Sequence, residues 1–318
     1  MSATYSRRTL LAGMAGAAAA GAAAAQAPAT GRFNICAFTK HFQWTDLKET
    51  SELCARFGYE GLDITLRKGG HVLPERVAED LPKAVETARK AGLTVPMVTT
   101  DIVDTKTPCA EAIIKTLASQ GIKYYRWGGL RYDLKGNLTE QLQEMKPRVK
   151  DLAAMNRHYG VCAMYHTHSG VGQVGASQWD LFYLIYDQGG DAVTVNYDVG
   201  HATVEGGYGG WIHSARLQMP FMKGVAVKDF KWKQNERGAW VPGWCALGQG
   251  MVNFKQFLPM LKEAKFAGPL QLHMEYPDLG GADTGKTSFT IPKEQLLSIF
   301  KRDLDVLKGM LRTAGMLT

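Results

Sequence analysis

The 318-residue chain is short of several things, and each shortage removes a class of protein. Only five cysteines occur, Cys36, Cys54, Cys109, Cys162 and Cys245, scattered and with no C-x-x-C pair, so neither a disulfide framework nor a zinc ribbon is encoded. Cys36 and Cys162 sit inside apolar runs, where a small core residue is expected rather than a nucleophile. There is no Walker-type loop and no G-x-G-x-x-G after a strand, which argues against a nucleotide cofactor. The formal net charge of +7 comes without a dense Lys/Arg run and reads as a solvated surface, not a nucleic-acid-binding face. The 35 glycines and 12 prolines are spread as punctuation between apolar segments, with no low-complexity block beyond the N-terminus.

The one apolar stretch that could concern a membrane, Leu10 to Ala25, is short and only mildly hydrophobic, so a stable span is not expected. It follows Ser6-Arg7-Arg8-Thr9-Leu10-Leu11, and the pair of arginines ahead of an Ala/Gly-rich run reads as a twin-arginine export signal over residues 1–27. Small residues favour cleavage after Ala25. A single domain over 28–318 and a periplasmic or secreted protein follow as expectations. Losing Arg7 and Arg8 leaves 35 basic against 30 acidic residues, a net charge of +5.

From Arg32 onward, short β-type runs alternate with amphipathic helical stretches about every 30 to 35 residues, the spacing of βα units. Eight strands are expected: Phe33 to Phe38, Gly61 to Thr65, Thr94 to Val98, Tyr124 to Trp127, Cys162 to His166, Thr194 to Asp198, Gly224 to Lys228 and Leu270 to Glu275. Helices are expected over Leu47 to Phe57, Leu81 to Ala91, Ala110 to Gln120 and Leu138 to Tyr159, each closed by a glycine that leads into the next strand. Eight such units predict a closed (β/α)8 barrel, with 229–252 as a long loop over its mouth.

In a barrel, the last inward residues of the strands converge on the mouth, and here those positions are polar. Tyr165-His166-Thr167-His168 closes the fifth strand, Asn196-Tyr197-Asp198-Val199-Gly200-His201 the sixth, Val227-Lys228-Asp229 the seventh and His273-Met274-Glu275-Tyr276 the eighth. Alternation puts His166 with His168, Asn196 with Asp198, Ala226 with Lys228 and His273 with Glu275 on common faces. Neutral imidazoles beside carboxylates suit Mn2+, Co2+ or Zn2+ with positions left for substrate oxygens. Plainer roles compete: Asp198 could cap the next helix, and Lys228 could pair with Asp229 or another strand-end carboxylate.

The order Asp198-x-Gly-His201, Lys228-Asp229 and Glu275-Tyr276 resembles the xylose isomerase-like barrel of the sugar phosphate isomerase/epimerase family. That family's pattern holds a divalent metal by Glu, Asp, His and Glu on strands five to eight. Asp198 and Glu275 match it, while His166 stands at the first position and Ala226 at the third. The resemblance therefore implies a metal, Mn2+ first and Co2+ or Zn2+ next, on His166, Asp198 and Glu275 with His273 or His201 as the fourth ligand. It implies proton abstraction next to a carbonyl, with Glu275 or His168 as base and Lys228 as a fixed cation for the oxyanion. Arg67, His71, Arg126, Trp127, His201 and Trp232 are the expected substrate contacts, since guanidinium forks bond hydroxyls or carboxylates and indoles pack on sugar rings. Export favours a neutral or oxidised, non-phosphorylated sugar. A 3-keto-glycoside lyase and a non-catalytic sugar-binding barrel are the alternatives, and the apolar helix faces could hide a homodimer interface.

Overall fold

The computed structural model describes residues 34–317. The twin-arginine motif and its cleavage point lie outside the described residues. Eight parallel strands close on one another: β1 (Asn34–Phe38), β2 (Gly61–Thr65), β3 (Thr94–Thr99), β4 (Tyr124–Trp127), β5 (Cys162–His166), β6 (Val193–Asp198), β7 (Met222–Val227) and β10 (Pro269–Leu272). Sequence order runs round the ring until β10 returns beside β1, with Asn34 opposite Pro269 and Ala37 opposite Leu272. The expected segment 229–252 is no irregular loop. It is an antiparallel hairpin of β8 (Asp229–Gln234) and β9 (Trp240–Cys245), placed between β7 and its helix.

The helices are α1 (Leu47–Phe57), α2 (Val77–Lys90), α3 (Ala110–Ser119), α4 (Leu138–Tyr159), α5 (Trp179–Ile185), α6 (Val199–Gly206), α7 (Gly210–Gln218), α8 (Phe254–Glu263) and α9 (Lys293–Thr313). α1 starts where the Asp46 carboxylate accepts from Glu49 N, and ends at Gly58 with φ 92°, a left-handed turn that a side chain would strain. α4 ends the same way at Gly160, φ 72°. α2 begins four residues earlier than the apolar periodicity suggests, because Pro74 and the acidic first turn of Glu79 and Asp80 favour an earlier start.

Alternation along each strand separates two environments. Outward residues such as Ile35, Leu62, Ile64, Tyr125, Val195, Tyr197, Val225 and Leu270 join the continuous core under the helices. Inward residues are mostly small or polar: Cys36, Asp63, Thr99, Thr194, Asn196 and Gln271 are all buried, with Met164 as an apolar member. At about 25 cal/mol per Å2 the outer layer supplies the driving force for folding, which leaves the lumen free to hold chemistry. Among the described residues no helix is long and apolar enough to cross a membrane.

Candidate active site

The polar lumen residues meet at the C-terminal rim of the strands. Asp198 ends β6 and is fully buried. Its Oδ1 accepts from His201 N at 2.9 Å and so caps α6, while its Oδ2 turns into the barrel. The helix-capping role and the site role thus fall on the two oxygens of one carboxylate. Oδ2 lies 3.6 Å from His166 Nε2 and 3.3 Å from Lys228 Nζ, yet no donor is aligned on it as a hydrogen bond. His273 follows β10 by one residue, its ring stacked on Phe38 with 4.5 Å between centroids, and neither of its nitrogens has a hydrogen-bond partner.

One donor atom from each of His166, Asp198 and His273 lies within 4.8 Å of the others. Burial lowers the pKa of both imidazoles far below the usual value, so both are neutral and have lone pairs to give. Burial raises the Asp198 carboxyl, Lys228 opposing it, to about 6. Orphaned buried polar atoms cost about 1–3 kcal/mol each, and two imidazoles with a carboxylate are a donor set for a divalent transition metal. The residues fit a divalent ion. The Asn196 amide nitrogen, 3.2 Å from His166 Nδ1 and 2.6 Å from Gln271 Oε1, braces that ring from behind.

Glu275, expected as a ligand beside His166 and Asp198, is engaged by two lysines. Its Oε2 accepts from Lys228 Nζ at 2.7 Å and its Oε1 from Lys40 Nζ at 2.5 Å. Burial would raise its pKa, but the Lys228 and Lys40 ammoniums outweigh that and hold it well below the carboxylate range. Lys228, just past β7, is buried; dehydration alone would depress it, and Asp198 and Glu275 more than offset this. Its ammonium also reaches His201 Nε2 at 2.7 Å and sits 4.3 Å over the Trp244 ring. Because Lys228 donates to Nε2, neutral His201 carries its proton on Nδ1 and gives it to Ser169 Oγ at 2.7 Å. Asp229 does not pair with Lys228. Its carboxylate collects the backbone N–H groups of Phe230, Gly248, Gly250 and Val252 and ties down the hairpin.

The other expected contacts divide. Arg126 and Trp127 at the end of β4 line a cavity of about 280 Å3 together with His166, His168 and Arg131. The Trp127 ring itself lies in the outer core, edge-on to Tyr165. His168 packs on His166 at 4.5 Å, and burial lowers its pKa to about 3. Arg67 stands over Phe38, 5.9 Å from the ring centroid. His71 spends both ring nitrogens on Thr65 Oγ1 and the Thr45 carbonyl, so it pins the loop after β2. Trp232 is 39 % exposed on the hairpin and touches Phe230, while its neighbour Trp244 meets His201 edge-on at 4.6 Å. Sequence reading passes over Lys40 and Trp244. Alternation along β9 would have flagged Trp244 had the hairpin been foreseen.

A family profile described as xylose isomerase-like TIM barrel matches residues 17–307. Among solved structures, the IOLI protein with a bound zinc atom shares 16% identity and a TM-score of 0.67, over 87% of this chain and 99% of that one. D-psicose 3-epimerase, solved in the presence of D-fructose, shares 11% identity and a TM-score of 0.64, over 88% and 99%. The 3-keto-D-glucoside 4-epimerase YcjR of E. coli shares 12% identity and a TM-score of 0.63, over 87% and 100%. No curated protein matches the chain in sequence. At these identities the solved structures speak for the fold alone, and they agree with the profile and with the closed eight-strand ring: the chain belongs to the xylose isomerase-like TIM barrel family.

Proposed function

We propose that this protein is a sugar isomerase or epimerase that moves a proton next to the carbonyl of a non-phosphorylated keto-sugar, in dependence on a divalent metal, and that it acts after twin-arginine export. The observation that carries this reading is the position of Lys228, whose ammonium touches both Asp198 Oδ2 and Glu275 Oε2. A proton acceptor and a metal-binding carboxylate thus share one cation. A divalent ion on His166, Asp198 and His273 would supply Lewis acidity toward a carbonyl and its adjacent hydroxyl, which acidifies the C–H between them.

The residues of the chain divide the remaining work. Glu275, ionised, takes the proton from carbon and returns it to the neighbouring carbon for isomerisation. For epimerisation the return is to the opposite face, which needs a protonated group there, a role that neutral His168 could fill only after taking up a proton. Two ammoniums make Glu275 a weak base at rest. As negative charge builds on the substrate oxygen, Lys228 can turn one N–H from Glu275 toward it, which stabilises the oxyanion and raises the basicity of Glu275 together. The hairpin keeps Trp244 against Lys228 and His201 and so limits water.

The test joins metal content with solvent exchange. Elemental analysis of the purified protein should give close to one Mn, Co or Zn per chain, lost in His273→Ala and Asp198→Ala and kept in Glu275→Gln. In D2O, NMR with a panel of neutral ketohexoses and 3-keto-glucosides should show deuterium entering beside the carbonyl, and Glu275→Gln should slow this roughly 10²- to 10⁴-fold. Metal-free protein, or exchange indifferent to Glu275, would sink the mechanism.

A further inference from the structure

Arg126 is the next-to-last residue of β4, in register with Thr99 on β3 and Met164 on β5. Its carbonyl oxygen accepts from Thr100 Oγ1 at 2.7 Å, but its guanidinium forms no hydrogen bond or ion pair with any of the described residues. The acids around it are already committed. Glu275 is held by Lys40 and Lys228. Asp63 takes the Thr99 hydroxyl on both oxygens. Asp101, 63 % exposed, reaches only Arg67, at 4.0 Å. A guanidinium has five N–H donors in a planar fork, and that of half-buried Arg126 keeps them open toward the cavity it lines. Burial, with Arg67 adding to it, pulls the Arg126 pKa down, and the more distant charges of Glu275, Asp63 and Asp101 oppose this only in part.

What faces this fork is space. The cavity of about 280 Å3 is lined by Arg126, Arg131, His166 and His168, and its size suits a small ligand. No helix starts among the lining residues, so the helix N-terminus that commonly shares a phosphate dianion is missing among them. A planar, singly charged group fits a planar fork better.

We infer that the substrate is a sugar acid whose carboxylate is held by Arg126 in a two-point contact, with the rest of the sugar reaching past His166 toward Lys228 and Glu275. This specifies the substrate of the reaction proposed above, and it rests on that reading only for the chemistry. The binding can be measured without turnover.

The test is calorimetric titration of the purified metal-loaded protein with D-glucuronate, D-galacturonate and D-mannuronate, each beside its parent hexose, and with D-glucose 6-phosphate. At least one uronate should bind more tightly than its hexose by roughly tenfold to a hundredfold, the range for a hydrogen bond to a charged group. Arg126→Met should erase that gap and Arg126→Lys should keep part of it, which guards against a folding artefact. No uronate preference in any pair, a gap that survives Arg126→Met, or equal Arg126-dependent binding of the sugar phosphate would each overturn the inference. Uronate binding with no deuterium exchange in D2O would overturn the isomerase reading and leave this one standing. Exchange on neutral ketoses alone would do the reverse.

Discussion

Asp63 should make the barrel lose stability as pH rises, and replacing it by asparagine should remove that loss. The carboxyl is fully buried on β2. Burial raises its pKa from 3.8 to about 7, opposed by the Thr99 hydroxyl at 2.9 Å and by the Arg126 and Arg67 guanidiniums. The folded state therefore keeps a proton that the unfolded chain gives up near pH 4. Stability from this group is fully present below the unfolded pKa and is lost as pH rises through about 7. With about 1.4 kcal/mol per pKa unit, the loss between pH 5 and pH 8 comes to about 2–3 kcal/mol. Urea unfolding of wild type and Asp63→Asn, followed by circular dichroism at pH 5, 6, 7 and 8, isolates the effect, because every other titrating group is common to both proteins. The gap between them should shift by about 2–3 kcal/mol in favour of the variant across that range. A gap that stays constant with pH would refute the raised pKa and the burial argument behind it.

A Cβ on Gly268, between α8 and β10, would meet the Lys223 carbonyl oxygen at 1.9 Å, whereas one on Gly309 of α9 would meet nothing within 4 Å. Gly268→Ala should cost at least about 2 kcal/mol and Gly309→Ala should gain up to about 1 kcal/mol; equal midpoints in urea would count against the close approach. Trp244→Ala removes the ring 4.3 Å from the Lys228 ammonium. It should lower kcat by roughly three- to thirtyfold with a smaller change in KM, and an unchanged kcat would show that Trp244 does not position Lys228.

Much of this fold was legible because local rules suffice for it. α1 and α4 end where their cap residues and glycines say, and seven of the expected strands lie within two residues of the observed ones. The eighth stops at Leu272, so His273 to Glu275 belong to the rim. The hairpin was not legible. Its outer half, Lys231 to Gln234, is exposed and charged on both faces, so no apolar alternation marks it. For the site, the strand-end rule alone brings His166, Asp198, Lys228 and His273 to the mouth. It could not foresee that Glu275 would pair with Lys40, a residue 235 positions earlier that meets it only because β1 closes on β10.

The sequence by itself determined the period of the βα units, the helix ends and the polar character of the inward positions, because these follow from backbone sterics, capping and the two-residue repeat of a strand. Only the tertiary structure decided which polar groups pair, which stay unpaired and which way each buried proton equilibrium leans. Those depend on distances of a few ångströms between segments far apart in the chain, and on how completely the closed barrel strips them of water.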